Sequence, residues 1–259
     1  MDLHLKGRTA LITGGSKGIG FGVAKALAAE GCHLRLVART AADLDKAKAE
    51  LASFKVDVRT YAIDVADVAA RKRMVDEAGD IDILVNSAGG IPGGNLHDVD
   101  EAKWRAAWDG KVFGHINMCR EIYYRMKERK RGVIINIIGA GGERLDALYI
   151  AGATGNAALM AFTKTLGSVS IDEGVRVLGV NPGPVQTERL EFLGRKRAQD
   201  RLGDPTRWRE FFKQMPLGRP ATVEECTAMV AFLCSDHCSY MSGTIVTIDG
   251  GLANRGALP

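Results

Sequence analysis

The chain has 259 residues and a mildly basic balance, with 35 Lys and Arg against 31 Asp and Glu and a formal net charge of +4. No basic stretch is interleaved with aromatic residues, so we expect no nucleic-acid partner. The sequence has no signal-like N-terminus and no apolar run of about 18 residues, which argues against secretion and a membrane span and favours the cytoplasm.

Five cysteines are scattered through apolar patterns, at Cys32, Cys119, Cys226, Cys234 and Cys238. Their odd number and their spacing favour reduced core thiols over disulfides. His237 lies between the last two cysteines, but no second cluster of ligands accompanies them. We therefore expect no metal site.

The first strand-like run, residues 10–12, leads into a glycine-rich turn from Thr13 to Gly20. A helix-forming run follows over residues 23–30 and ends at Gly31, a natural C-terminal cap. Unpaired N–H groups at a helix start bind phosphate, and glycines in the turn let a pyrophosphate approach the backbone. The pattern predicts a phosphate site, although a strand-to-helix connection without a ligand has the same pattern.

Strand-like and helix-like segments then alternate, without repeats or a linker that would mark a domain boundary. The predicted strands are 33–38, 57–63, 81–85, 132–138, 175–180 and 244–248. The predicted helices are 40–53, 66–78, 99–130, 147–172 and 222–233, with a polar, basic insertion at about 187–215. This alternation predicts a single α/β domain over residues 1–259, a Rossmann-type, doubly wound, seven-stranded parallel sheet with helices on both faces.

Several motifs resemble those of the short-chain dehydrogenase/reductase family over essentially the whole chain. The turn from Thr13 to Gly20 matches its glycine-rich turn, and Asp64 matches its acid after strand three. Residues 86–89 match its Asn-Asn-Ala-Gly motif except at Ser87, and residues 181–187 match its Pro-Gly segment. The resemblance implies an oxidoreductase of a small carbonyl, alcohol or activated alkene, and a homotetramer or homodimer built through the two long helices and the C-terminal strand and helix.

The resemblance also implies a set of cofactor-binding residues. They are Gly14, Ser16, Lys17, Gly18, Ile19, Gly20, Arg39, Asp64, Val65, Asn86, Ala88, Gly89, Pro182, Gly183, Val185 and Thr187. Strand two ends in Arg39 with no acid before Asp43, and Lys17 adds a second cation. Cations here accept the 2′-phosphate of NADP, whereas an acid would hold the ribose of NAD. We therefore expect NADP rather than NAD, the alternative being two solvated surface cations.

The family's catalytic residues are not present at the matching positions. The family uses a Tyr, a Lys four residues later, a Ser and an Asn. The resemblance places these positions on Gly152, Asn156, Gly139 and Lys111. No shift of register restores a Tyr and a Lys at this spacing, so the usual acid is missing.

Three residues are candidates for a rearranged catalytic site, Lys111, Tyr149 and Asn156. Lys111 and Asn156 look like an exchange of the Asn and Lys roles between two packed helices, unless Lys111 extends to solvent. Tyr149 lies one helical turn before Gly152, so its hydroxyl would enter the vacated space, unless its ring packs against the neighbouring loop.

The insertion is rich in cations, namely Arg189, Arg195, Lys196, Arg197, Arg201, Arg207 and Arg209. The family has its substrate lid here, so an anionic substrate such as an acyl thioester is one interpretation and a solvated basic helix is the other. The leading hypothesis for the chain is an NADP-dependent oxidoreductase with a rearranged site. Two alternatives are a nucleotide-binding enzyme without net redox chemistry and a catalytically silent sensor or partner subunit.

Overall fold

The structure is a computed structural model and describes residues 1–255. Its strands are β1 (Thr9–Thr13), β2 (His33–Ala38), β3 (Val58–Ala62), β4 (Ile83–Asn86), β5 (Gly132–Ile137), β6 (Val175–Pro182) and β7 (Ile245–Ile248). They form one parallel sheet in the order β3-β2-β1-β4-β5-β6-β7. The predicted seven-stranded, doubly wound sheet is therefore confirmed.

Eight α-helices connect the strands. They are α1 (Gly18–Ala29), α2 (Ala41–Leu51), α3 (Val68–Ala78), α4 (Glu101–Trp108), α5 (Gly114–Glu128), α6 (Ile150–Ser170), α7 (Glu188–Leu202) and α8 (Val223–Cys234), all within residues 1–255. None of the helices in this part of the chain is long and apolar enough to cross a membrane.

The sheet separates two apolar layers, because side chains of a strand alternate between its faces. Ile12 of β1 packs in one buried cluster and its neighbour Leu11 in the other. Strands covered on both faces have continuous apolar sequences, as β4 has in Ile83, Leu84 and Val85. All five cysteines are free and buried, as their apolar surroundings predicted.

The predicted helical segment over 99–130 contains a local change of helix type. A π-helical turn, Asp109–Phe113, separates α4 from α5. A π-helical turn inserts a wider turn without ending the helix. The apolar periodicity continues through it, so the sequence does not reveal where the π-turn lies. π-Turns are frequent at functional sites, and this one carries Lys111.

The insertion folds as α7 followed by a 3₁₀ segment, Pro205–Gln214. The two pieces pack on one another through Trp208, which is buried and lies edge-on to Phe212. The insertion thus has a small core of its own.

The sheet order reverses between β1 and β4, and ligands of open α/β sheets bind at the carboxyl ends of the strands beside such a point. Thr13 and Asn86 end these two strands and are paired in register. The Thr13 hydroxyl oxygen accepts bonds from the N–H groups of Ser87 and Ala88 at 3.0 and 3.1 Å. These bonds fix the loop after β4 beside the glycine-rich turn.

Candidate active site

The glycine-rich turn is shaped to hold a phosphate against backbone. Gly14 and Gly18 have φ values of +66° and +55°, in the left-handed region that favours glycine. A Cβ on Gly20 would lie 2.3 Å from the Gly14 oxygen, so only glycine permits this close turn. The residue before α1, Lys17, makes no side-chain cap bond to the helix. The first N–H groups of α1 are therefore available to a diphosphate, and the turn fits a dinucleotide.

A cavity of about 470 Å³ lies on one side of this turn, at the ends of β1, β2 and β3. Eight of the predicted cofactor residues line it: Gly14, Ser16, Lys17, Arg39, Asp64, Val65, Ala88 and Gly89. Asp43, the first acid after the end of β2, also lines this cavity. Its carboxylate lies 3.1 Å from the Lys17 Nζ. Sequence reasoning missed this contact because Asp43 lies in the next helix, beyond the end of β2.

A second cavity of about 410 Å³ adjoins the first, and Lys17 and Gly89 line both. Six more predicted cofactor residues line this second cavity: Gly18, Ile19, Gly20, Pro182, Gly183 and Thr187. It also contains Lys111, Gly139 and Arg189. We call it the catalytic cavity.

Asn86 and Val185 do not line either cavity. Asn86 is fully buried, and its Nδ2 donates to the Asn136 Oδ1 at 3.0 Å. Asn136 in turn donates to the Thr163 hydroxyl at 2.9 Å, so the chain of bonds ties β4 to β5 and α6. Val185 is buried beside Ala221. Both residues therefore pack inside the fold and not at the wall of either cavity. Sequence motifs alone do not distinguish such a packing role from direct contact with the cofactor.

Lys111 is buried at the catalytic cavity, with 8% of its surface exposed. Its Nζ donates to the Ile138 carbonyl oxygen at 2.5 Å and to the Asn156 Oδ1 at 2.9 Å. The alternative in which this side chain extends to solvent is therefore wrong. Burial and, second, the positive charge of Arg189 lower the pKa of the ammonium to about 8.

His115 lies one turn after Lys111 and is also buried. Its Nε2 lies 3.1 Å from the Ala88 carbonyl oxygen, which assigns the proton to that nitrogen. Burial, with the nearby charge of Lys111, lowers its pKa to about 3. His115 is thus neutral at physiological pH and anchors the loop after β4.

Asn156 holds a position that depends on Gly139. A Cβ on Gly139 would lie 3.1 Å from the Asn156 Nδ2, so the amide approaches the place where a Ser side chain would begin. Gly139 also has a φ of +130°, which is strained for any other residue. Gly139 and Asn156 are therefore structurally coupled, because a side chain at 139 would crowd the Asn156 amide.

Tyr149 and Gly152 are coupled in the same way. A Cβ on Gly152 would lie 1.9 Å from the Tyr149 Cζ, so the ring occupies the space of a side chain at 152. Tyr149 is half-buried, and burial raises the pKa of its hydroxyl. The ring lies where the resemblance places the family's Tyr, although Tyr149 does not line the catalytic cavity.

Comparison with known proteins identifies the group to which this fold and groove belong. A family model described as enoyl-(acyl carrier protein) reductase matches residues 14–253. The chain belongs to the short-chain dehydrogenase/reductase family. The resemblance inferred from the motifs is thus confirmed, and the chain is a member of an oxidoreductase family that uses a nicotinamide cofactor.

Curated relatives are similar over nearly the whole chain. The 2-keto-3-deoxy-L-fuconate dehydrogenase of Xanthomonas campestris is 32% identical over 257 residues, which are 98% of this chain and 82% of the relative. Oxidoreductase UcpA of Salmonella typhimurium is 36% identical over 255 residues, 95% of each chain. Both relatives therefore align with nearly the whole of this chain.

A solved structure matches the whole fold. L-sorbose reductase from Gluconobacter frateurii, complexed with NADPH and L-sorbose, has a TM-score of 0.92 and 31% identity, and covers 99% of this chain and 100% of its own. The levodione reductase structure has a TM-score of 0.90 and 27% identity, with 97% and 99% coverage. The short-chain dehydrogenase/reductase fold therefore extends across the described residues.

Proposed function

We propose that this protein is an NADP-dependent oxidoreductase that interconverts a small carbonyl compound and its alcohol at a rearranged catalytic site. The observation that carries the proposal is the fixed ammonium of Lys111 beside the nucleotide groove. Its two bonds, to the Ile138 oxygen and the Asn156 Oδ1, hold it in the cavity that the glycine-rich turn also lines. The nicotinamide, when bound, would supply or accept the hydride.

Lys111 is proposed as the proton donor in the direction of reduction. An ammonium has three N–H groups, and Ile138 and Asn156 accept two of them, which leaves one for a ligand in the catalytic cavity. A general acid works best when its pKa is close to the operating pH. With its pKa lowered to about 8, Lys111 carries a proton at neutral pH and releases it more readily than an exposed lysine.

Asn156 is buried and does not line the catalytic cavity, and it is proposed to position Lys111. Its Oδ1 accepts from Lys111, while its Nδ2 lies close to Gly139, where the family places the Ser hydroxyl. The donor for an oxyanion site is then the remaining N–H of Lys111, which lines the catalytic cavity. The site residues form a coupled arrangement, in which Gly139 and Gly152 provide the room that Asn156 and Tyr149 need.

Tyr149 is a second candidate for the acid, because its ring fills the space above Gly152. Its raised pKa makes the hydroxyl a weaker acid at neutral pH than the Lys111 ammonium, so we assign the proton to Lys111. Tyr149 would then contribute packing against Gly152.

The NADP preference rests on Arg39 and Lys17 in the first cavity. Arg39 is exposed there, whereas Lys17 is paired with Asp43. We infer that Arg39 is the principal partner of a 2′-phosphate and that Asp43 limits the contribution of Lys17.

We also propose that residues 187–215 act as a substrate lid and that the chain forms a homo-oligomer. Arg189 of this segment contacts the loop after β4, across the catalytic cavity. Large apolar side chains are exposed on the two long helices, with Tyr124 65% and Val169 56% accessible. Such exposure on α5 and α6 favours a contact with a second copy.

The test of the proposed function is a panel of aldehydes and ketones assayed with NADPH. The proposal predicts NADPH oxidation in equal amount to alcohol formed. Turnover of a compound without NADPH consumption would favour a non-redox enzyme instead. Tight NADPH binding with no turnover across the panel would favour a silent nucleotide-binding protein.

A further inference from the structure

The catalytic cavity has an excess of positive charge. Three cationic side chains line it, those of Lys17, Lys111 and Arg189, against the single carboxylate of Glu188 among the described lining residues. Lys17 lies at the glycine-rich turn, where the cofactor diphosphate is expected. Lys111 and Arg189 therefore remain as two cations on the substrate side.

Arg189 extends from the first turn of α7 to the opposite wall of the cavity. Its Nη2 donates to the Ile91 carbonyl oxygen at 3.0 Å. A Cβ on Gly90 would lie 2.4 Å from its Nη1, so the guanidinium lies against bare backbone. A guanidinium has five N–H groups, and the bond to Ile91 uses one of them. The others remain available for a planar, two-oxygen ligand.

Other arginines of the lid are engaged within the lid itself. Arg195 pairs with Glu191 at 2.7 Å, and Arg207 pairs with Glu210 at 2.7 Å. Two more arginines stack on aromatic rings, Arg197 on Phe211 at 4.6 Å and Arg209 on Trp208 at 4.5 Å. These four arginines therefore favour the interpretation of the insertion as a solvated basic helix over an anion-binding role. Arg189 differs from them because it lines the catalytic cavity.

The charge of Arg189 acts on both candidate catalytic groups. Burial lowers the pKa of Lys111 and the charge of Arg189 adds to that effect, whereas burial raises the pKa of Tyr149 and the charge of Arg189 partly offsets the rise. Arg189 and Lys111 line the same cavity. Two cations that share a partly closed cavity repel one another, and a bound anion removes that repulsion. An uncharged substrate would leave it in place.

We propose that Arg189 binds a carboxylate of the substrate, so that the enzyme acts on oxo acids and the corresponding hydroxy acids. This inference rests on the proposed function, because Lys111 is taken to mark the position of the reacting carbonyl. The carboxylate is unchanged in the reaction. In reduction the carbonyl carbon gains the hydride that NADPH loses, and the carbonyl oxygen gains the proton that Lys111 releases.

The experiment uses the NADPH-loaded protein and three pairs of probes. The probes are 2-oxopentanoate, 3-oxopentanoate and 4-oxopentanoate, each with its methyl ester, so that the distance between ketone and carboxylate varies. Calorimetry measures binding and NADPH oxidation measures turnover. The variant is Arg189→Gln, and the matched control is Arg197→Gln, which removes a lid arginine stacked on Phe211.

We expect at least one acid to bind more tightly than its ester, and Arg189→Gln to weaken that acid about 10- to 100-fold, as for a lost charge-assisted bidentate bond. Binding of the ester and of NADPH should stay unchanged, and Arg197→Gln should behave as the parent protein. An acid that binds with this preference but is not reduced would support Arg189 as a carboxylate receptor and count against the proposed function.

Three results would overturn the inference. The first is equal binding of acids and esters, which leaves the proposed function intact if the esters are reduced. The second is a higher Kd for NADPH in Arg189→Gln with an unchanged preference for acids, which would assign the guanidinium to the cofactor. The third is an absence of binding by all six probes.

Discussion

Replacing Lys111 with Met separates the chemical role of its ammonium from its role in packing. Met retains most of the volume of the side chain and removes the charge and the N–H donors. A positioned general acid contributes about 10²- to 10⁴-fold to a rate, so turnover with an identified carbonyl substrate should fall by that factor. NADPH binding should persist, because the glycine-rich turn and the first cavity are unaltered.

The same substitution has a predicted effect on stability. The Lys111 pKa falls from 10.5 to about 8 on burial, a difference equivalent to about 3 kcal/mol against the charged form. Between these pH values the unfolded chain binds a proton that the folded chain does not, so the stability of the parent protein rises with pH. Below about pH 8 both states are protonated and this group contributes no slope.

The assay is the free energy of unfolding measured by denaturant titration across neutral and alkaline pH. Relative to Lys111→Met, the parent should gain up to about 3 kcal/mol as pH rises from 8 to 10.5. Lys72→Met, at an exposed position of α3, is the control and should show no such gain. A flat difference between the parent and Lys111→Met would refute the buried-ammonium argument, and full retained turnover would remove Lys111 from the mechanism.

Three other predictions follow from the groove and its supports. Arg39→Ala should weaken NADPH binding more than NADH binding, whereas Asp43→Asn should strengthen NADPH binding because it releases Lys17. Titration of each variant with both dinucleotides measures the ratio of the two Kd values. An unchanged ratio would reject the assignment of Arg39 and Lys17 to the 2′-phosphate. Gly152→Ala should destabilise the fold by about 1–3 kcal/mol, because its Cβ would meet the Tyr149 ring, and equal unfolding curves would contradict the coupled packing. Tyr124→Arg should reduce the oligomer mass seen by sedimentation, and an unaltered mass would place the contact elsewhere.

The fold was largely predictable because its signals are local and repeated. Buried parallel strands are continuous apolar runs, and each is followed by a turn and an amphipathic helix, so order and sheet type follow from pattern. The π-turn at 109–113 was not predictable, because it changes the hydrogen bonding of the helix and leaves the apolar spacing almost intact.

The part of the candidate site that the backbone of the glycine-rich turn forms was predictable from the sequence. The glycines of the turn signal their positions through sequence, since their conformation excludes other residues. Side-chain pairs between distant segments gave no such signal. The contact of Asp43 with Lys17 depends on how α2 approaches the turn, and the reach of Arg189 to Ile91 depends on where the lid lies.

The central claim, that Lys111 supplies the proton, is tested most directly by the pH dependence of a single turnover of ketone reduction. The rate should fall as pH rises through about 8 in the parent protein, because the ammonium loses its proton. Tyr149→Phe should show the same descending limb, since Lys111 is intact. A Tyr hydroxyl ordinarily titrates near pH 10, and burial raises the pKa of Tyr149. A limb in the parent above about pH 10 that disappears in Tyr149→Phe would contradict the claim and assign the proton to Tyr149.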